Sequence, residues 1–161
     1  MKTGSVQVYY GAGKGKSTAA LGKAILAASE GKAVFIIQFL KGKTNERTEF
    51  LKRLEPDIKI FRFEKSEGYF NELSKEEQEE ESANIRNGVN FAKKVLSTGE
   101  CDLLILDEAL GLVDSGLLKM EDLKNLISAR VEDMDLILTG RVLSEGLREY
   151  VDEIYCLIPE A

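Results

Sequence analysis

The chain has 161 residues, 43% of them hydrophobic and 31% charged, with 22 basic against 28 acidic side chains and a net charge of −6. That length suffices for one compact domain with its own core, while the acidic balance argues against a nucleic-acid partner or an anionic membrane surface, either of which usually demands a basic face. There is no histidine, so no imidazole can act as general base or zinc ligand.

In chain order, Val6-Gln7-Val8-Tyr9-Tyr10 is short, β-branched and aromatic, and a glycine-rich loop follows it, which reads as a strand running into a loop. Helix formers extend from Ser17 to about Glu30, and Gly31 is placed to stop the helix. Ala33 to Phe39 is a near-continuous apolar run, the pattern of a strand covered on both faces. A short helix is expected near Glu46–Leu54 and another strand at Ile58–Phe63. Ser74-Lys75-Glu76-Glu77 has the form of a capping box opening a long helix to about Leu96. The acidic run Glu76–Glu81 is then accounted for by the helix N-terminus, where negative charge is favoured.

Leu103–Leu106 and Leu136-Ile137-Leu138 read as two more buried strands, with a helix near Glu121–Val131 between them and a last strand at Ile154–Ile158. Strands alternating with helices imply a mostly parallel sheet with helices on both faces. Neither a repeat nor a linker divides the chain, so residues 1–161 read as one domain. Cys101 opens one strand-like run and Cys156 lies inside another, which predicts two reduced core thiols. The N-terminus has no apolar signal core and no apolar run approaches a membrane span, so the expected compartment is the cytoplasm.

Chemistry concentrates in three places. The first is Gly11-Ala12-Gly13-Lys14-Gly15-Lys16-Ser17-Thr18, a phosphate loop one residue shorter than the usual pattern, because Tyr10 stands where the first glycine would be. Glycines there let backbone N–H groups turn inward around an anion, and the helix that follows points its positive end at the same spot. Lys16 adds charge and the Ser17 hydroxyl can ligate Mg²⁺. The second is Asp107-Glu108, delivered by a buried strand to the C-terminal edge of the sheet, where ligands bind; one of these acids can reach the Mg²⁺. The third is Thr139-Gly140-Arg141 at the same edge, where Arg141 suits bidentate contact with phosphate oxygens. Together they predict a P-loop NTPase-like (RecA-like) α/β domain that binds ATP.

The same residues resemble one P-loop family, the ATP:corrinoid adenosyltransferases. The match runs through Gly11 to Ala20, where the shortened loop is itself a family feature, then Gln38-Phe39-Leu40-Lys41-Gly42, Leu106-Asp107-Glu108, Gly116-Leu117-Leu118 and Leu138-Thr139-Gly140-Arg141. The resemblance implies transfer of the 5′-deoxyadenosyl group of ATP to a Co(I) corrinoid with release of triphosphate. It gives Lys14 and Lys16 to the phosphates, Ser17 and Glu108 to Mg²⁺ with Asp107 in support, and Arg141 to the phosphate chain. Tyr69 and Phe70 fall where the family has its aromatic corrinoid contacts. A homodimer and a flavoprotein reductant are further implications. Leu26 occupies the place of an ATP-contacting Arg, and the chain has no Trp. Read from the residues alone, a P-loop ATPase or nucleotide-dependent regulatory module that hydrolyses ATP stands beside the transferase.

Overall fold

The computed structural model describes residues 3–40 and 46–160, the side chains of 46–48 excepted. Six strands form one wholly parallel sheet: β1 (Val6–Tyr10), β2 (Val34–Gln38), β3 (Ile58–Arg62), β4 (Leu103–Asp107), β5 (Asp135–Gly140) and β6 (Glu153–Cys156), in the order β3-β2-β4-β5-β1-β6. The order puts β4 and β5 in the middle, and β4 is buried at every position. That agrees with its uninterrupted apolar run.

The helices are α1 (Lys16–Ser29), α2 (Glu46–Leu51), α3 (Lys75–Thr98), α4 (Ala109–Asp114) and α5 (Met120–Ser128). Successive strand residues point to opposite faces, so each central strand feeds two cores. Leu104, Leu106, Leu136 and Leu138 pack on one side with Ile85, Val95 and Leu96 of α3 and with Leu112 and Leu123 from α4 and α5. Leu103, Ile105 and Ile137 pack on the other with Ala20 and Ala24 of α1. Burying each such leucine or isoleucine contributes about 1.5–3 kcal/mol, and the small alanines let α1 lie close to the sheet.

The predicted capping box is present. Ser74 Oγ accepts the N–H of Glu77 at 3.2 Å, and Glu77 Oε1 accepts the N–H of Ser74 at 3.3 Å. The acidic run is more than a helix start, however. Glu81 is buried; its Oε1 accepts the N–H of Lys65 at 2.9 Å and Asn84 Nδ2–H at 2.8 Å, tying the loop after β3 to α3. Cys101 is buried as expected, whereas Cys156 is exposed, on the edge strand β6. The last strand also ends at Cys156, short of the expected Ile158. Helix α4 was not foreseen; it begins directly after the acid pair, on the residue following Glu108.

Candidate functional site

The five residues between β1 and α1 form the phosphate loop, and two of its glycines are fixed by packing. A Cβ on Gly11 would lie 2.2 Å from the Leu157 carbonyl oxygen, and one on Gly13 would lie 2.7 Å from Pro159 Cδ. The N–H of Gly13 donates to Leu157 O at 3.3 Å, and that of Leu157 to Tyr10 O at 2.7 Å, so residues 157–159 brace the outside of the loop. Gly15, at φ 106°, is the N-cap of α1, a backbone state that costs glycine little. The first-turn N–H groups of a helix have no acceptor within it, and in α1 that turn directly follows the loop.

Lys16 is only 8% exposed and its Nζ donates to the carbonyl of Gly13 at 2.7 Å, folding the ammonium across the loop. Ser17 lies on the next helical position, and its Oγ donates to Asp107 Oδ1 at 2.7 Å. A hydrogen bond therefore joins the phosphate loop motif to the tip of β4. Lys14 takes a different direction: with Ala12 and Gly13 it lines an open cleft shared with Cys156, Leu157, Ile158 and Pro159. Thr18 is exposed on α1.

The tip of β5 completes the junction. Thr139 is fully buried; its Oγ1 donates to Asp107 Oδ1 at 2.7 Å and accepts the N–H of Glu108 at 2.8 Å. Gly11 N–H donates to Gly140 O at 3.2 Å, which brings exposed Arg141, one residue on, to the rim of the loop. Glu108 is held at φ 63°, in the left-handed region. An ordinary residue there is strained, and the Thr139 hydrogen bond is one contact that holds it. The Glu108 carboxyl lies over α4: a Cβ on Gly111 would be 3.4 Å from Glu108 Oε2 and 2.9 Å from Leu40 Cδ1.

Leu40 leads to a second cleft, of about 250 Å³, whose lining includes Glu64, Tyr69, Phe70, Asn71 and Leu117. Tyr69 is 62% exposed. Phe70 starts a 3₁₀ turn over Phe70–Glu72, pinned by Gln78 Nε2–H donating to Phe70 O at 2.9 Å. Leu40 has a left-handed backbone, φ 56°, and its N–H donates to Glu64 Oε1 at 2.8 Å. Burial pushes the Glu64 carboxyl above its ordinary value of 4.5; the Leu40 N–H opposes this, the Glu81 charge adds to it, and the Arg62 charge opposes it.

The structure thus brings together Lys16, Ser17, Asp107 and Thr139, with Glu108 and Arg141 beside them. Asp107, expected only to support Glu108, is the acid that contacts Ser17. Leu26 lies elsewhere. It lines a cavity with Ser5, Leu103 and Asp135, at the edge of the sheet where β4 and β5 begin, opposite the phosphate loop. Lys41 and Gly42 lie outside the described residues. Glu64 was not singled out from the sequence, Glu81 was read only as part of a helix-start acidic run, and Thr139 stood in the Thr-Gly-Arg cluster without a role of its own. For Mg²⁺ the donor set fits, since that ion is usually held by one or two carboxylates plus phosphate oxygens. A Ser hydroxyl hydrogen-bonded to a carboxylate beside a phosphate loop offers such oxygens. No group of three or more acidic or sulfur ligands occurs among the described residues.

A parallel α/β sheet whose first strand runs into a phosphate loop, with acids at the tip of β4, separated from β1 by β5, defines a P-loop nucleotide-binding protein. Residues 2–157 match the model of the ATP:corrinoid adenosyltransferase family BtuR/CobO/CobP, and the chain belongs to that family. It is 31% identical over 156 residues to the corrinoid adenosyltransferase of Escherichia coli, covering 97% of this chain and 77% of that one. Identity is 30% to the corrinoid adenosyltransferase CobA of Salmonella typhimurium, over the same shares. Against the corrinoid adenosyltransferase of Pseudomonas aeruginosa it is 27% over 152 residues, or 94% and 73% of the two chains. The family is enzymatic, a group of transferases that takes ATP and corrinoids as substrates. Among the described residues, no helix is long and apolar enough to cross a membrane.

Proposed function

We propose that this chain, as a single domain, transfers the 5′-deoxyadenosyl group of ATP to the Co(I) centre of a corrinoid. The cobalt lone pair attacks C5′ of ATP, the cobalt–carbon bond forms, the C5′–O bond breaks, and inorganic triphosphate leaves with the bonding pair. Co(I) is already a strong nucleophile, so the protein needs no general base, which suits a chain without histidine. Its tasks are positioning and stabilisation of charge on the leaving triphosphate.

The observation that carries the reading is the Ser17 to Asp107 hydrogen bond at 2.7 Å, which joins a phosphate loop to a carboxylate, with an aromatic cleft beyond Glu108 and Leu40. In this reading the backbone of Gly11 to Thr18 cradles the triphosphate and Lys16 exchanges the Gly13 carbonyl for a phosphate oxygen. Lys14 and Arg141 approach from the rim. Ser17, Asp107 and Glu108 hold Mg²⁺, which when bound neutralises charge on the triphosphate. Tyr69 and Phe70 present an apolar surface to the corrin ring. A homodimer, a flavoprotein reductant and a cytoplasmic setting belong to the same reading by family analogy.

The test is anaerobic incubation with MgATP and a chemically reduced corrinoid, followed by product analysis. Adenosylated corrinoid with an equal amount of triphosphate is expected. ADP and orthophosphate with no alkylated cobalt would overturn the transferase and leave an ATPase.

A further inference from the structure

The aromatic cleft contains one group that an apolar ring platform does not require. Among its described lining residues Glu64 is the sole charged side chain; its neighbours there include Leu40, Tyr69, Phe70, Asn71 and Leu117. Its Oε1 accepts the Leu40 N–H at 2.8 Å. A carboxylate offers about four acceptor sites, so that bond leaves accepting capacity in the cleft.

Among the described residues, none of the nearby polar groups supplies a cation to the lining. Arg62 NH2 donates to Ser66 O at 3.3 Å, and Arg62 is not part of the cleft wall. Glu81, the next acid, is engaged by the N–H of Lys65 and by Asn84. The described cleft therefore presents apolar surface and an acceptor. Its volume of about 250 Å³ admits an edge of a corrin macrocycle, so its contacts are with the ring's rim.

A corrin rim carries acetamide and propionamide arms. Each neutral amide brings two N–H donors, whereas the corresponding acid is ionised and can only accept. Resting on the corrinoid reading above, we propose that Glu64 is a specificity-determining residue, which accepts a hydrogen bond from a rim propionamide, the longer of the two arms, and disfavours a corrinoid with a carboxylate there. A rim carboxylate at that point would face a like charge in a partly desolvated cleft, and such juxtapositions are strongly unfavourable.

Equilibrium dialysis at pH 8 would compare hydroxocobalamin with its three rim monocarboxylates, made by mild hydrolysis of the propionamides, on the wild-type protein and on Glu64→Gln. Glutamine keeps an acceptor for the Leu40 N–H, so the cleft retains its shape. At least one monocarboxylate should bind the wild type about tenfold more weakly than hydroxocobalamin, and in Glu64→Gln that difference should shrink to about twofold or less. Equal binding of all four ligands to the wild type would overturn the role of Glu64 while leaving the corrinoid reading intact. Undiminished discrimination in a folded Glu64→Gln would do the same. No binding of hydroxocobalamin itself would remove the corrinoid reading, and the Glu64 role with it. The wild-type comparison depends on no variant folding.

Discussion

Thr139 Oγ1 donates to Asp107 Oδ1 at 2.7 Å from a fully buried position at the tip of β5. The same oxygen accepts the Glu108 N–H at 2.8 Å, so one hydroxyl sets the carboxylate of the first acid and the backbone of the second. Valine has nearly the same shape but lacks the hydroxyl, and it would leave the Glu108 N–H without this acceptor. Thr139→Val should lose about 1–3 kcal/mol of stability in urea and lower transferase turnover by about tenfold or more, with a raised Mg²⁺ requirement. Thr139→Ser keeps both hydrogen bonds and should restore the wild-type Mg²⁺ dependence even if packing suffers. A Thr139→Val enzyme with unchanged turnover and Mg²⁺ dependence would show that the bridge is only structural.

Lys16 tests the phosphate loop separately. Its ammonium is nearly buried and donates to the Gly13 carbonyl of the same loop. Lys16→Ala should weaken MgATP binding by about tenfold or more in calorimetry, because a charge-assisted contact to phosphate is lost. Adenosine affinity should change little, since adenosine has no phosphate to lose contact with. If triphosphate affinity survives this change, the nucleotide does not bind on this loop.

Two glycines should respond in opposite directions to the same substitution. A Cβ on Gly140 would lie 2.3 Å from Leu110 Cβ, between β5 and α4, whereas a Cβ on Gly22 meets nothing within 4 Å on the exposed face of α1. Gly140→Ala should cost at least about 1–3 kcal/mol through overpacking and disturb the Thr139–Gly140–Arg141 tip. Gly22→Ala should add about 0.5–1 kcal/mol, because alanine is the better helix former. Urea midpoints at constant m-value would check both. An unharmed Gly140→Ala protein would contradict the close approach of α4 to β5.

The contrast between these glycines also shows what the sequence could carry. The central strands were legible because an apolar run buried on both faces leaves a local signature, and β1 was recovered over Val6–Tyr10. The loop was legible because its glycines, Lys16 and Ser17 are contiguous. Glu81 and Glu64 were not, since their burial arises where the loop after β3 meets α3 and the chain at Leu40, contacts that neither local window contains. Cys156 was misread as core for a similar reason: its neighbours look like a buried strand, but strand order makes β6 an edge. Leu26, read as standing in the place of an ATP-contacting Arg, lies at the opposite end of the sheet from the phosphate loop of its own chain.

That difference between the two cysteines can be measured directly. Burial pushes the Cys101 thiol up to about 12, so almost none of it is thiolate at pH 8, and the reactive species is the thiolate. Cys156 is exposed and lines the cleft that also contains Ala12, Gly13 and Lys14. In the native protein a disulfide reagent should therefore titrate Cys156 rapidly and Cys101 only on unfolding, and Cys156→Ser should abolish the fast phase. The buried thiol also gives a pH dependence. Its folded value lies above its ordinary 9.0, so its contribution to stability is complete below pH 9 and falls as the pH rises from there toward 12. Cys101→Ala should remove that fall while losing some packing at every pH. Equal, rapid reaction of both thiols in the native state would mean that the start of β4 opens far more readily than a strand buried at every position should.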